Sequence, residues 1–118
     1  MDDFLYHYEA RLASVYDGDT IRVDLSLGFN IWQLNKPIRL YGIDTPELRG
    51  VEREQGLIVR DIVEQRLRQA DRLIIETHKD TTGKYGRLLG TVHYRVDDQW
   101  RNLNQELLTE GLAAPYLE

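Results

Sequence analysis

With 118 residues, 42% of them hydrophobic, the chain is about one domain long, and with no cysteine it has neither disulfides nor thiolate metal sites. A net charge of −5 argues against a nucleic-acid binder that works through a broad basic stripe. No apolar run approaches the ~20 residues of a membrane span, so no membrane association is expected.

The opening "MDDFLYHYEARL" has two acids where a signal peptide carries bases. A cytoplasmic location is expected if that start is native, and a secreted one if a signal was removed. "YEARLASVY" alternates imperfectly. "TIRVDLSL" is cleaner, with Ile21, Val23, Leu25 and Leu27 on one strand face and Arg22, Asp24 and Ser26 on the other. "GFNIWQLNK" extends that hairpin towards a third strand, "KPIRLYGID". There Ile38, Leu40 and Gly42 are expected on one face, and Arg39, Tyr41 and Ile43 on the other.

After Pro46 the period becomes helical. "EREQGLIVRDIVEQRLRQA" spaces Val59, Ile62, Val63, Leu67 and Ala70 at three and four residues, with Gly56 weakening the first turn. "DRLIIET" and "RLLGTVHYRV" are two further strands around the polar loop "THKDTTGKYGR". "NLNQELLTEGLA" is a second helix. Asn102 is its N-cap, Leu103, Leu107 and Leu112 face inward, and Gly111 ends it. Three strands, a helix, two strands and a helix is the order of an OB-type barrel. The expected fold is α+β and β-rich. It has a five-stranded OB-type barrel, a helix between strands 3 and 4 and a second helix after strand 5, in one domain over residues 1–118.

Three clusters carry chemistry. In "YDGDTI", Asp17 and Gly18 suit a hairpin turn, whereas Asp19 is expected to open the next strand, where turn chemistry does not explain it. In "IRLYGIDTPELRG", Asp44-Thr45-Pro46-Glu47 has two readings. One is a helix start, with a cap, a proline at the first position and an acid in the first turn. The other is a metal site: Asp19 and Asp44 offer hard oxygen ligands for Ca²⁺ or Mg²⁺, a Thr45 carbonyl adds a third, and Glu47 deprotonates a bound water. In "GKYGR", Gly83 to Arg87, a plain hairpin turn competes with a phosphate role for Arg87. Arg39 and Arg87 beside a divalent cation would clamp a phosphodiester. His7, His78 and His93 show no ligand spacing and are expected to be surface or structural residues, and Trp32 and Trp100 are expected to pack.

The segments "YDGDT", "IRLYGIDTPE", "KYGRLLG" and "LNQELLTEGLA" together resemble the staphylococcal-nuclease-like, or thermonuclease, family. The resemblance runs from about Glu9 to Tyr116. It implies a calcium-dependent phosphodiesterase that cuts DNA and RNA and leaves 3′-phosphates. By motif, it implies that Asp19, Asp44 and the Thr45 carbonyl hold Ca²⁺, and that Glu47 is the general base. Arg39 and Arg87 would bind the scissile phosphate and its transition state, and Lys84, Tyr85 and Tyr116 would contact the nucleotide. The Asp19–Arg39 segment is longer than in the family's best-known members, and only Tyr116 stands where they often have two tyrosines. The acidic surface favours single-stranded or frayed substrate, and a monomer is expected. Two other classes compete. One is a non-catalytic nuclease-like module binding nucleic acid or protein. The other is an OB-type single-strand binder, which would want a basic groove with exposed aromatics.

Overall fold

The computed structural model describes residues 6–78 and 88–116. Within them the elements run β1 (His7–Asp17), β2 (Thr20–Ser26), β3 (Trp32–Leu40), β4 (Ile43–Asp44), a 3-10 turn (Gly50–Glu52), α1 (Arg53–Gln69), β5 (Arg72–His78), β6 (Leu88–Val96), β7 (Gln99–Asn102), α2 (Leu103–Thr109) and β8 (Ala114–Pro115).

The strands lie in the order β3-β2-β1-β5-β6-β7, and β3 also pairs with β6. That last pairing is parallel, Ile38 with Leu88 and Leu40 with Gly90, and it closes five strands into a barrel. The architecture is therefore the expected β-rich OB-type barrel with two helices. Closure explains Gly90. A Cβ there would lie 2.9 Å from the Cγ2 atoms of both Ile38 and Ile75, so the strands can approach only without one. Strand β1 serves two neighbours, pairing Ala10 with Leu25 of β2 and with Leu73 of β5. Its register shifts between Leu12 and Ser14 and between Val15 and Asp17. Such bulges bend a strand, and they are why "YEARLASVY" alternates poorly.

The core fills the barrel and the space under α1. Ile21, Val23, Leu25, Ile38, Leu40, Ile75 and Val92 come from the strands, and Val59, Val63 and Leu67 from one face of α1. Each such side chain contributes ~1.5–3 kcal/mol on burial. Helix α2 begins as its pattern predicts: the Asn102 side chain accepts a hydrogen bond from the Gln105 N–H at 3.0 Å. It ends before Gly111, whose φ of +73° suits glycine. Arg66 of α1 ties the helices together through Glu106 of α2 and Glu110 at its C-cap.

Several local expectations change. Leu27 lies beyond β2 and is exposed. Gly42 has φ +80°, which breaks the alternation after Leu40, so Ile43 is fully buried instead of sharing a face with Arg39. Strand β7 follows β6 through Asp97 and Asp98, both at positive φ, a two-residue hairpin without the usual glycine signal. Trp100 on β7 is exposed, flanked by Arg72 and Arg95, and does not pack in the core. The Asp44–Glu47 stretch does not start a helix; α1 begins at Arg53 after the short 3-10 turn.

Candidate active site

The site forms where the β1–β2 turn, the end of β3 and the chain after β4 converge. Asp17 pairs with Thr20, which leaves Gly18 and Asp19 as the turn itself; Asp19 does not open β2. Glycine is required at 18. A Cβ there would lie 2.7 Å from Val59 Cγ1 and 2.8 Å from Thr45 Oγ1, so α1 and the 44–46 segment close over the turn. Asp19 is held on all sides. Its N–H donates to Asp17 Oδ1 at 3.1 Å, and its carbonyl accepts from the Leu40 N–H at 2.8 Å. Its Oδ2 accepts from the Thr45 N–H at 3.1 Å, and its Oδ1 from the Thr20 hydroxyl at 3.4 Å.

Arg39 is 9% exposed, on the face of β3 opposite the core residues Ile38 and Leu40. The Gly42 turn wraps it. Nη1 donates to the Ile43 carbonyl at 3.1 Å and the Leu40 carbonyl at 3.4 Å. The same nitrogen lies 3.6 Å from Asp19 Oδ2, and Nη2 lies 3.7 Å from Asp44 Oδ1. The Tyr116 ring sits 5.1 Å from the guanidinium. Tyr116 is brought there by the β4–β8 ladder and by its own N–H, which donates to the Gly42 carbonyl at 2.9 Å.

Asp44 remains half exposed at the mouth, and Glu47 is exposed just beyond it. Asp44, Thr45, Pro46 and Glu47 line one side of a cleft faced by residues 111–114. Glu47 also borders a smaller cleft with Tyr16 and Asp17. The Glu47 N–H donates to Glu52 Oε1 at 3.1 Å, which anchors its backbone. Behind it, Gly56 of α1 is packed against the Pro46 and Glu47 carbonyls.

The electrostatics report a surplus of negative charge. Burial, then a hydrogen bond and the charge of Asp19, push the Asp17 carboxyl up to about 7. Burial and the charge of Asp19 also raise Asp44, against the pull of Arg39. Asp19 and Asp44 thus share one guanidinium, with Asp17 crowding Asp19 and Glu47 adding to the repulsion on Asp44. A hard cation would relieve that crowding, and an all-oxygen carboxylate set fits Ca²⁺. Thr45 Oγ1 is, among the described residues, the buried side-chain polar atom without a hydrogen-bond partner, and it lies inside this cluster. Thr45 was expected through its carbonyl; what the structure records is its N–H on Asp19.

Asp19, Arg39, Asp44, Thr45, Glu47 and Tyr116 are therefore brought together. Lys84, Tyr85 and Arg87 lie outside the described residues. Asp17 was read as turn chemistry alone. A second aspartate two residues from Asp19 was the signal for it, but only the hairpin shows that their carboxyls meet.

The model of the staphylococcal nuclease homologue family matches residues 37–117. An uncharacterized protein of Methanocaldococcus jannaschii is 28% identical to the chain, over 94% of this chain and 60% of that protein. The chain thus spans about three-fifths of the length of that curated relative. The match covers more than half of the sequence and both "DTPE" and the residues after it, and it agrees with the barrel: the chain belongs to the staphylococcal nuclease homologue family.

Proposed function

We propose that this chain, as one domain and a monomer, is a calcium-dependent nuclease that hydrolyses phosphodiester bonds of DNA and RNA to leave 3′-phosphate ends. The observation that carries the reading is the buried Arg39 guanidinium set between Asp19 and Asp44, with Asp17 crowding Asp19 and Asp44 lining the adjoining cleft. A structural arginine would need one carboxylate; this cluster holds more acid than Arg39 neutralises. Asp19, Asp44 and Thr45 are the residues that would hold Ca²⁺, and family members are generally calcium-dependent. Bound there, the ion would supply charge neutralisation and an acidified water.

The chain's own groups divide the remaining work. Glu47 is exposed on an anchored backbone, so its carboxylate is free to take a proton from the attacking water. Arg39 directs a planar donor set at the phosphate oxygens as charge develops. Arg87 is the second clamp, a role that its motif implies. Lys84, Tyr85 and Tyr116 contact the nucleotide, and the Tyr116 ring beside Arg39 suits that role. With a net charge of −5, single-stranded or frayed substrate enters most readily.

The test is nicking of supercoiled plasmid with Ca²⁺, with excess chelator, and with the Glu47→Gln variant. Activity should require Ca²⁺, and Glu47→Gln should lower it by about 10²–10⁴-fold. Products should be extended at their 3′ ends by a terminal transferase only after phosphatase treatment has freed the 3′-hydroxyl. Full activity in chelator, or a folded Glu47→Gln protein cutting at the wild-type rate, would sink the reading.

A further inference from the structure

The chain has three histidines, and the barrel gathers all of them on one outer face. His7 of β1 stands directly across from Glu76 of β5. On the other side, Glu76 faces Thr91 of β6, with His93 two residues along the same face. His78 is two residues from Glu76 on β5, and its Nε2 is 2.8 Å from Thr91 Oγ1. Neighbours directly across or diagonal on a sheet face are close enough for long side chains to converge.

We propose that His7, Glu76 and His93 form a binding site for a divalent transition-metal ion such as Zn²⁺. His93 Nε2 lies 2.9 Å and His7 Nε2 lies 3.7 Å from the same carboxylate oxygen, Glu76 Oε1. One ligand atom from each residue lies within 4.8 Å of the other two, and this is the group of that kind among the described residues. Ligand bonds of ~2.0–2.2 Å in a tetrahedral zinc site place ligand atoms about 3.3–3.5 Å apart, so small rotations of the imidazoles complete the set. A hydrogen-bonded surface cluster is the simpler alternative, but it does not call for two imidazoles aimed at one oxygen. A metal ion satisfies both rings and the carboxylate together.

The donor set selects the ion. Two imidazole nitrogens and one carboxylate suit Zn²⁺, Co²⁺ or Ni²⁺, whereas Ca²⁺ and Mg²⁺ prefer oxygen throughout. The three residues are 28–35% exposed at their side chains, so an ion can reach them from solvent and keep a water. They come from three adjacent strands of a closed barrel, which holds their backbones in place. The site shares no residue with the Asp19–Asp44 cluster.

Chelator-treated protein titrated with Co²⁺ and followed by visible absorption, and with Zn²⁺ by calorimetry, tests the proposal. One equivalent should bind with micromolar or tighter affinity and with the intense bands of low-coordinate Co²⁺. His93→Ala and the near-isosteric Glu76→Gln should each weaken binding by about 10-fold or more. Asp19→Asn and Asp44→Asn should leave it unchanged, and excess Ca²⁺ should not compete. Co²⁺ should broaden the ring signals of His7 and His93 in the wild-type protein, a readout that needs no variant to fold. Absence of wild-type binding, competition by Ca²⁺, or unaltered affinity in folded Glu76→Gln protein overturns the site.

Discussion

Replacing Gly56 with alanine sets helix propensity against tertiary packing. Alanine inside a helix is more favourable than glycine by ~1 kcal/mol, so propensity alone predicts a gain. The fold predicts a loss. A Cβ on Gly56 would lie 2.2 Å from the Glu47 carbonyl oxygen, 2.8 Å from its carbonyl carbon and 2.9 Å from the Pro46 carbonyl oxygen, where ordinary contact begins at 3.4 Å. All three are backbone atoms, so no rotamer relieves the overlap, and α1 or the 46–47 segment must move. Overpacking a close-packed region costs ~1–3 kcal/mol, and backbone obstacles place this case at the upper end. A net destabilisation of about 1–2 kcal/mol remains after the propensity gain. Urea denaturation should show a lower midpoint with an unchanged slope. Gln65→Ala, exposed on the same helix, controls for propensity alone. Because the displaced carbonyl belongs to Glu47, the plasmid-nicking rate should fall further than stability explains; a 1 Å misplacement can cost about 10²-fold. A Gly56→Ala protein as stable as wild type would refute the packing argument.

Arg39→Lys keeps the charge but loses the fork that reaches Asp19, Asp44 and the Ile43 carbonyl, so nicking should drop by about 10²-fold or more while circular dichroism stays native. Asn104→Ala removes the side chain that accepts from the Val92 N–H and donates to the Gly90 and Tyr41 carbonyls, at 3.0, 3.1 and 2.9 Å. The Gly90 carbonyl keeps the Tyr41 N–H, and the Val92 N–H and Tyr41 carbonyl left unpaired should cost about 2–4 kcal/mol in urea denaturation. Burial, then the hydrogen bond to Glu106, pushes the Tyr94 hydroxyl up to about 12. A folded-state value above the unfolded one gives stability that is complete below pH ~10 and lost as pH rises to ~12, by up to about 3 kcal/mol. Tyr94→Phe should remove that slope from denaturation midpoints measured between those pH values.

What the sequence determined by itself was local. Alternation in "TIRVDLSL" and the three- and four-residue spacing from Val59 to Leu67 each follow from burying one face of one element. The cap at Asn102 and the stop at Gly111 involve neighbours a few residues apart. These marked the barrel order, both helices and the motifs carrying Asp19, Arg39, Asp44 and Glu47. The tertiary structure decided what no period encodes. Thr45 reaches Asp19 across 26 positions, and Asn104 reaches Tyr41 across 63. The positive φ of Gly42 turned Ile43 into the core and wrapped the chain around Arg39. Strand pairing brought His7 and His93 to Glu76, although their spacing in the chain shows no relation. Each of these contacts depends on β3 closing onto β6 or β1 bridging β2 and β5. Those pairings are set by the burial of the whole barrel at once, and no single segment carries that information.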